Sequence, residues 1–246
     1  TASSQDMTIS GSNALTLDRT GTNVPAVVVS QANRTLTISA LVAGTDGLAK
    51  GGPGNLFLSN VSNSYTGATS VNEGTLSISS IGNVGGGSSA IGAPTDAATG
   101  RIVIGLNNLH GTLRYTGGSQ SSNRTISVNS TSNANTGGAS VINDGSGALT
   151  FTASTFNSAY SNPNNVIRPL TLGGSNGGTI QGVIQNNSAN NTISLAKTGT
   201  GTWTLSGTNS YTGNTSLSGG GTLVLDYETN NTNKIAGPLT LGGGTL

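Results

Sequence analysis

The chain has 246 residues, with nine Lys+Arg against eight Asp+Glu, a single histidine and no cysteine. A formal charge of +1, with only 7 % charged residues, offers no basic surface for a phosphate backbone and argues against a nucleic-acid partner. Without cysteine there is no disulfide framework, zinc–thiolate site or thiol nucleophile, and His110 alone cannot build a His-rich metal site.

Ser, Thr, Asn and Gly fill the chain, punctuated by Leu, Ile and Val, which favours strands and turns over helices and predicts an all-β protein. The longest apolar stretch, Val24 to Val29, contains Pro25 and is far short of the roughly 20 residues of a membrane helix, so no membrane insertion is expected in this segment. The N-terminal residues carry no basic region followed by an apolar run, so a signal peptide is either removed or upstream. The composition suits a secreted bacterial surface protein.

In chain order, short apolar–polar–apolar motifs predict brief strands with one buried face. They are Leu15-x-Leu17, Val27-x-Val29, Leu36-x-Ile38, Leu56-x-Leu58, Leu76-x-Ile78, Ile102-x-Ile104 and Leu113-x-Tyr115. They continue at Ile126-x-Val128, Leu149-x-Phe151, Leu170-x-Leu172, Ile193-x-Leu195, Trp203-x-Leu205, Leu223-x-Leu225 and Leu239-x-Leu241. Such spacing fits a sandwich, a barrel or a solenoid. An internal repeat favours the solenoid. LAKGGPGNLFLSNVSNSYTGATSVNEGTLSI at 48–78 returns as LAKTGTGTWTLSGTNSYTGNTSLSGGGTLVL at 195–225, 147 residues on (195 against 48). Weaker echoes join Arg34–Ile38 to Arg124–Val128 and the PLTLGG at 169–174 to that at 238–243. Stacked rungs tolerate self-similarity because every rung meets the same environment.

The second copy resembles the autotransporter-associated β-strand repeat, also called the passenger-associated transport repeat. It departs from that pattern mainly at Trp203 and Leu217; the first copy departs at Pro53, Asn60 and Glu73. GTLRYTGGSQSSNRTISV at 111–128 resembles the segment between copies. The resemblance implies a right-handed parallel β-helix in large secreted bacterial surface proteins, and in some members an exported passenger. The expected organisation is one continuous β-solenoid over 1–246, with the copies at 48–78 and 195–225 and linking rungs at 79–194. Stacked like charges repel, so few charges are expected; Asn and Thr ladders bond between rungs; Gly supplies corners with positive φ. Rungs of about 20–25 residues would give about 10–12 rungs and a rod of about 50–60 Å.

Within the repeats, Leu56, Leu58, Leu76, Trp203, Leu205 and Leu223 are the expected core, and Tyr65-Thr66-Gly67 and Tyr211-Thr212-Gly213 the expected corners. Trp203 aligns with Leu56, so it reads as core, with an exposed sugar-stacking platform as the alternative. Tyr65 and Tyr211 should pack in corners with their hydroxyls on water or backbone. Lys50 and Lys197 should be solvated or cap turn carbonyls.

No constellation for chemistry emerges. The carboxylates Asp6, Asp18, Asp46, Glu73, Asp96, Asp144, Asp226 and Glu228 are mostly isolated, and Asp226-x-Glu228 reads as a solvated corner rather than a hydrolytic pair. Asp46-Gly47 and Asp144-Gly145 are turn dipeptides without calcium-loop spacing, His110 reads as a turn residue, and no phosphate loop follows the Gly runs. The Asn-x-Ser/Thr triplets at Asn33, Asn60, Asn123 and Asn214 follow from composition. The alternating threonines Thr198 to Thr204 resemble an ice-binding face but do not recur rung after rung. The expected function is therefore a non-enzymatic extracellular structural segment: stalk, fibre or surface spacer, with no catalytic, cofactor or metal residues. A glycan- or surface-binding adhesin face is the alternative, and a polysaccharide-degrading enzyme the third reading. The GTL at 244–246 and the start at Thr1 show no polar cap, so self-association through open solenoid ends, or membership of a longer chain, is expected.

Overall fold

A computed structural model describes residues 5–19, 23–129, 137–156 and 166–246. The strands of the first part are β1 (Met7–Ile9), β2 (Leu15–Leu17), β3 (Ala26–Val28), β4 (Thr35–Ile38), β5 (Val42–Gly44), β6 (Leu48–Gly51), β7 (Asn55–Leu58), β8 (Thr69–Val71) and β9 (Gly74–Ile78). A four-residue helix α1 (Ala97–Gly100) precedes β10 (Ile102–Ile104), β11 (His110–Tyr115), β12 (Gln120–Ser122), β13 (Ile126–Val128), β14 (Gly138–Asn143) and β15 (Leu149–Phe151). Then come β16 (Val166–Gly173), β17 (Gly178–Ile180), β18 (Asn191–Lys197), β19 (Thr202–Leu205), β20 (Thr215–Leu217), β21 (Thr222–Leu225) and β22 (Leu239–Leu241).

The long sheet has ten strands, in the order β1-β4-β7-β9-β11-β14-β16-β18-β20-β22, so its strands follow the chain. A first side sheet runs β3-β6-β8-β10-β13, a second runs β12-β15-β17-β19-β21, and β2 pairs with β5. Every strand pairing is parallel. Parallel neighbours in sequence order require the chain to travel round and return above itself, which is the path of a parallel β-helix.

Register shows how the core is built. Leu36, Leu56, Leu76, Leu113, Val141 and Leu172 stand above one another in the long sheet. All but Leu36 are fully buried, and Leu36 packs on the cluster at its edge. Ile38, Leu58, Ile78 and Tyr115 form a second inward ladder. Between them lie Thr37, Phe57, Ser77 and Arg114, and just before the first ladder the outward positions Thr35, Asn55, Thr75 and Thr112, also stacked in register. The alternation is the period-2 signal of the sequence, repeated at the spacing of parallel strands.

Rung length is less uniform than 20–25 residues. The step is 20 where Leu36 meets Leu56 and Leu56 meets Leu76, but 37 where Leu76 meets Leu113. The long rung carries α1, whose N-cap Asp96 accepts from the amides of Ala98 (2.8 Å) and Thr99 (3.0 Å). His110 is not in a turn: it opens β11, and its Nε2 meets Ser140 Oγ in the next rung at 2.8 Å. The pairing of β11 with β14 extends to His110 opposite Gly138, which draws this residue into the ladder.

Candidate functional site

The two repeat copies adopt one local plan at two places around the axis. In the first, β6 and β8 lie in the first side sheet and β7 and β9 in the long sheet. In the second, β18 and β20 lie in the long sheet and β19 and β21 in the second side sheet. Leu58 and Leu205, like Leu76 and Leu223, are buried at equivalent places in the repeat but in different sheets. The side sheets exchange where β12 and β13 enter the same rung.

Each repeat holds its return turn with buried polar side chains. Lys50 is fully buried, and its Nζ donates to the carbonyls of Gly51 (3.0 Å), Gly52 (2.6 Å) and Glu73 (2.9 Å). Lys197 repeats the arrangement on Thr198 (2.8 Å) and Gly199 (2.9 Å). Of the two roles expected for these lysines, the structure shows the carbonyl cap. Burial pushes the Lys50 ammonium down to about 8, and the charge of Glu73 partly opposes this. The turn admits the ammonium because Gly52 and Gly199 hold positive φ (75° and 67°), which aims their carbonyls at Nζ.

Tyr65 and Tyr211 are fully buried in the corners. Their hydroxyls meet Thr69 Oγ1 (2.8 Å) and Thr215 Oγ1 (2.7 Å), not water or backbone as expected. A sealed phenol needs a partner, and the inward threonine four residues on supplies it. Burial pushes the Tyr65 phenol up to about 12 and raises that of Tyr211. Gly67 and Gly213 serve close approach and not positive φ. A Cβ on Gly67 would overlap the Gly47 amide, and one on Gly213 the Ile193 carbonyl.

Sequence reasoning missed Asn63 and Asn209, which precede the tyrosines by two residues. Both are buried, and each bridges the rungs on either side of its own. Asn63 Oδ1 accepts from the Val42 amide while Nδ2 donates to Ala90 O, both at 2.8 Å. Asn209 does the same with the Ile184 amide and Lys234 O, both at 2.9 Å. Their recurrence in Asn-Ser-Tyr-Thr-Gly was the available signal. Lys234, also buried, makes a third ammonium cap on Ser206 O (2.6 Å), Gly207 O (3.3 Å) and Asn230 Oδ1 (2.5 Å).

Trp203 is fully buried, with Nε1 donating to Gly173 O at 3.1 Å. Its register neighbours are Gly178 and Leu223, whereas Leu56 sits between Leu36 and Leu76. The larger ring is accommodated by a missing side chain one rung away.

The carboxylates are dispersed into structural roles. Asp46 pairs with Arg19 (3.0 Å) and Asp144 with Arg114 (2.8 Å). Asp226 accepts from the amides of Glu228 (3.0 Å) and Thr229 (3.1 Å) and from Ser206 Oγ (2.8 Å), which together with Thr229 Oγ1 lower its pKa to about 2. It is a turn cap. Among the described residues no three His, Asp or Glu side chains gather to hold a metal ion, and no helix is long and apolar enough to cross a membrane.

What recurs at both places is therefore a rung-locking unit: buried ammonium, bridging asparagine and tyrosine–threonine pair. Its residues lie inside the two segments, 48–78 and 195–225, that match the passenger-associated-transport-repeat family. The chain carries two passenger-associated transport repeats. The chain is also similar to the Adhesin BmaC autotransporter of Brucella suis biovar 1 (strain 1330), at 33 % identity over 189 residues. That similarity covers 71 % of this chain and 5 % of the relative, so the transport-repeat chain spans a small fraction of the adhesin's length. No solved structure matches the chain.

Proposed function

We propose that this chain is a non-catalytic length of a bacterial surface adhesin's passenger, displayed outside the cell, where it acts as a shaft. The observation that carries the reading is the ten-stranded parallel sheet in sequence order, which spans the described chain from Met7 to Leu241. A stack of this kind converts residues into reach at about 4.8 Å per rung. The carboxylates support a non-enzymatic role through their positions, since Asp46, Asp96, Asp144 and Asp226 serve ion pairs and caps. The relative supports surface display, being an autotransporter adhesin.

A second reading, in which a face of the rod contacts a glycan or another surface ligand, draws on the same relative. Self-association belongs to the proposal as well: the outer strands of the long sheet expose Met7 (53 %) and Leu241 (61 %), which another copy could cover by strand addition. The test combines negative-stain microscopy of the purified chain with glycan and matrix-protein arrays and polysaccharide turnover. The shaft reading expects rods about 45–50 Å long that neither bind nor cleave. Ligand binding would move the function to the adhesin face, and turnover would overturn the proposal.

A further inference from the structure

Each repeat pairs with itself. In the first copy Leu48 lies against Thr69 and Leu56 against Leu76; in the second, Leu195 lies against Thr215 and Trp203 against Leu223. One 31-residue segment thus contains two strands, the return turn and the two strands stacked on them. These internal steps are 20 or 21 residues. Steps wholly outside the repeats run from 24 residues (Ile102 to Ile126) to 31 (Val141 to Leu172), and the steps that leave a copy take 33 (Thr69 to Ile102), 37 (Leu76 to Leu113) and 24 (Thr215 to Leu239). The 20-residue step from Leu36 to Leu56 ends inside the first copy. Closure entropy grows with the logarithm of loop length, so a 20-residue step closes about 2.5-fold more readily than one of 37.

Length alone is a modest advantage, and the buried polar groups add to it. Lys50 reaches Glu73 O, and Tyr65 and Tyr211 reach Thr69 and Thr215, all inside their own repeats. These groups are satisfied without any rung outside their own repeat. Asn63 and Asn209 do the opposite. Each offers a carbonyl to the rung before, at Val42 and Ile184, and an amide to the rung after, at Ala90 and Lys234.

We infer that each transport repeat is a folding seed, which closes on itself first and then recruits the flanking rungs through its bridging asparagine. The stack grows outward from two seeds, and the long steps between them close later.

The test is refolding of the whole chain from denaturant with pulsed hydrogen exchange. The Asn72 amide, bonded to Lys50 O at 2.8 Å, and the Ser218 amide, bonded to Lys197 O at 2.9 Å, report from inside the repeats. The Thr116 amide on Ile78 O (2.8 Å) and the Asn176 amide on Asn143 O (2.9 Å), which cross steps of 38 and 33 residues, report from outside. Asn72 and Ser218 should gain protection about threefold or more ahead of the other two. Protection of all four at one rate, or of Thr116 or Asn176 first, overturns the inference. Trp203 is the single tryptophan, so its fluorescence follows the second seed. Leu223→Ala should slow that phase about tenfold, while Leu113→Ala should leave it within about twofold and accelerate unfolding. Should Leu223→Ala not refold, Leu113→Ala decides alone: slowing of the Trp203 phase by more than about fivefold overturns the seed.

Discussion

Replacing Asn63 with alanine tests whether the bridging asparagine locks three rungs together. Asn63→Ala removes the acceptor of the Val42 amide and the donor to Ala90 O, both at 2.8 Å and both buried. A buried backbone group left unpaired costs about 1–3 kcal/mol, so the two together should cost about 2–6 kcal/mol. A stacked array opens rung by rung, which makes a local assay sharper than a global melt. Native-state exchange of the Val42 amide reads the broken bond directly. A loss of about 2 kcal/mol there should accelerate exchange about 30-fold. Asn60→Ala is the control, because Asn60 donates to Ser39 O at the solvent edge (3.2 Å) and should change stability by under about 1 kcal/mol. The reasoning fails if Val42 exchange in Asn63→Ala stays within about threefold of the parent, since no buried bond of ordinary strength would then have been lost.

Other expectations follow from the same geometry. Trp203→Ala should lower stability in urea by about 3–5 kcal/mol through lost burial and a cavity; unchanged stability with lost carbohydrate binding would instead make Trp203 a sugar platform. Lys50→Met, which strands the carbonyls of Gly51, Gly52 and Glu73, should cost about 2–4 kcal/mol, and a neutral or stabilising result would show that the ammonium cap is dispensable. With its phenol at about 12 in the fold against roughly 10 when unfolded, Tyr65 adds stability that is complete below about pH 10 and lost as pH climbs to about 12. Lys50, at about 8 against roughly 10.4, works the other way and gains stability between those values, so the urea midpoint should fall only above about pH 10.4 and fall less in Tyr65→Phe. A midpoint that is flat or rising from there to pH 12 would contradict the Tyr65 assignment, and one that fails to rise between about pH 8 and 10 would contradict that of Lys50. Sedimentation of the chain across a concentration series should show association; a monomer at every concentration would remove the edge-strand contact.

The strand motifs were legible because they rest on apolar alternation, which one buried face enforces. Leu36-x-Ile38 and Leu170-x-Leu172, for example, lie within β4 and β16. β8 and β20 were not legible, because Thr69 and Thr215 occupy inward positions that apolar patterning would reserve for Val or Leu. Their burial depends on tyrosine hydroxyls four residues away, a tertiary compensation invisible to a count of apolar residues. The lysines show the same limit. Lys50 is buried because three carbonyls converge on it, one of them at Glu73 from the next rung. The change of sheet between the copies was also hidden, since local sequence encodes the strand–turn–strand path but not its position around the axis. That position depends on the lengths of the intervening rungs, which hydrophobic patterning does not reveal.

The shaft reading stands most directly on the height of the stack. Thr35, Asn55, Thr75, Thr112, Ser140, Thr171, Ala196, Ser216 and Thr240 succeed one another in register on the outer face of the long sheet. With no native cysteine, Thr35→Cys and Thr240→Cys give two unique spin-label positions eight rungs apart. Pulsed electron–electron resonance should return a single narrow distance near 38 Å, eight steps of about 4.8 Å. A distance below about 25 Å, or a broad distribution, would mean that the rungs do not form one straight stack, and the shaft would be contradicted.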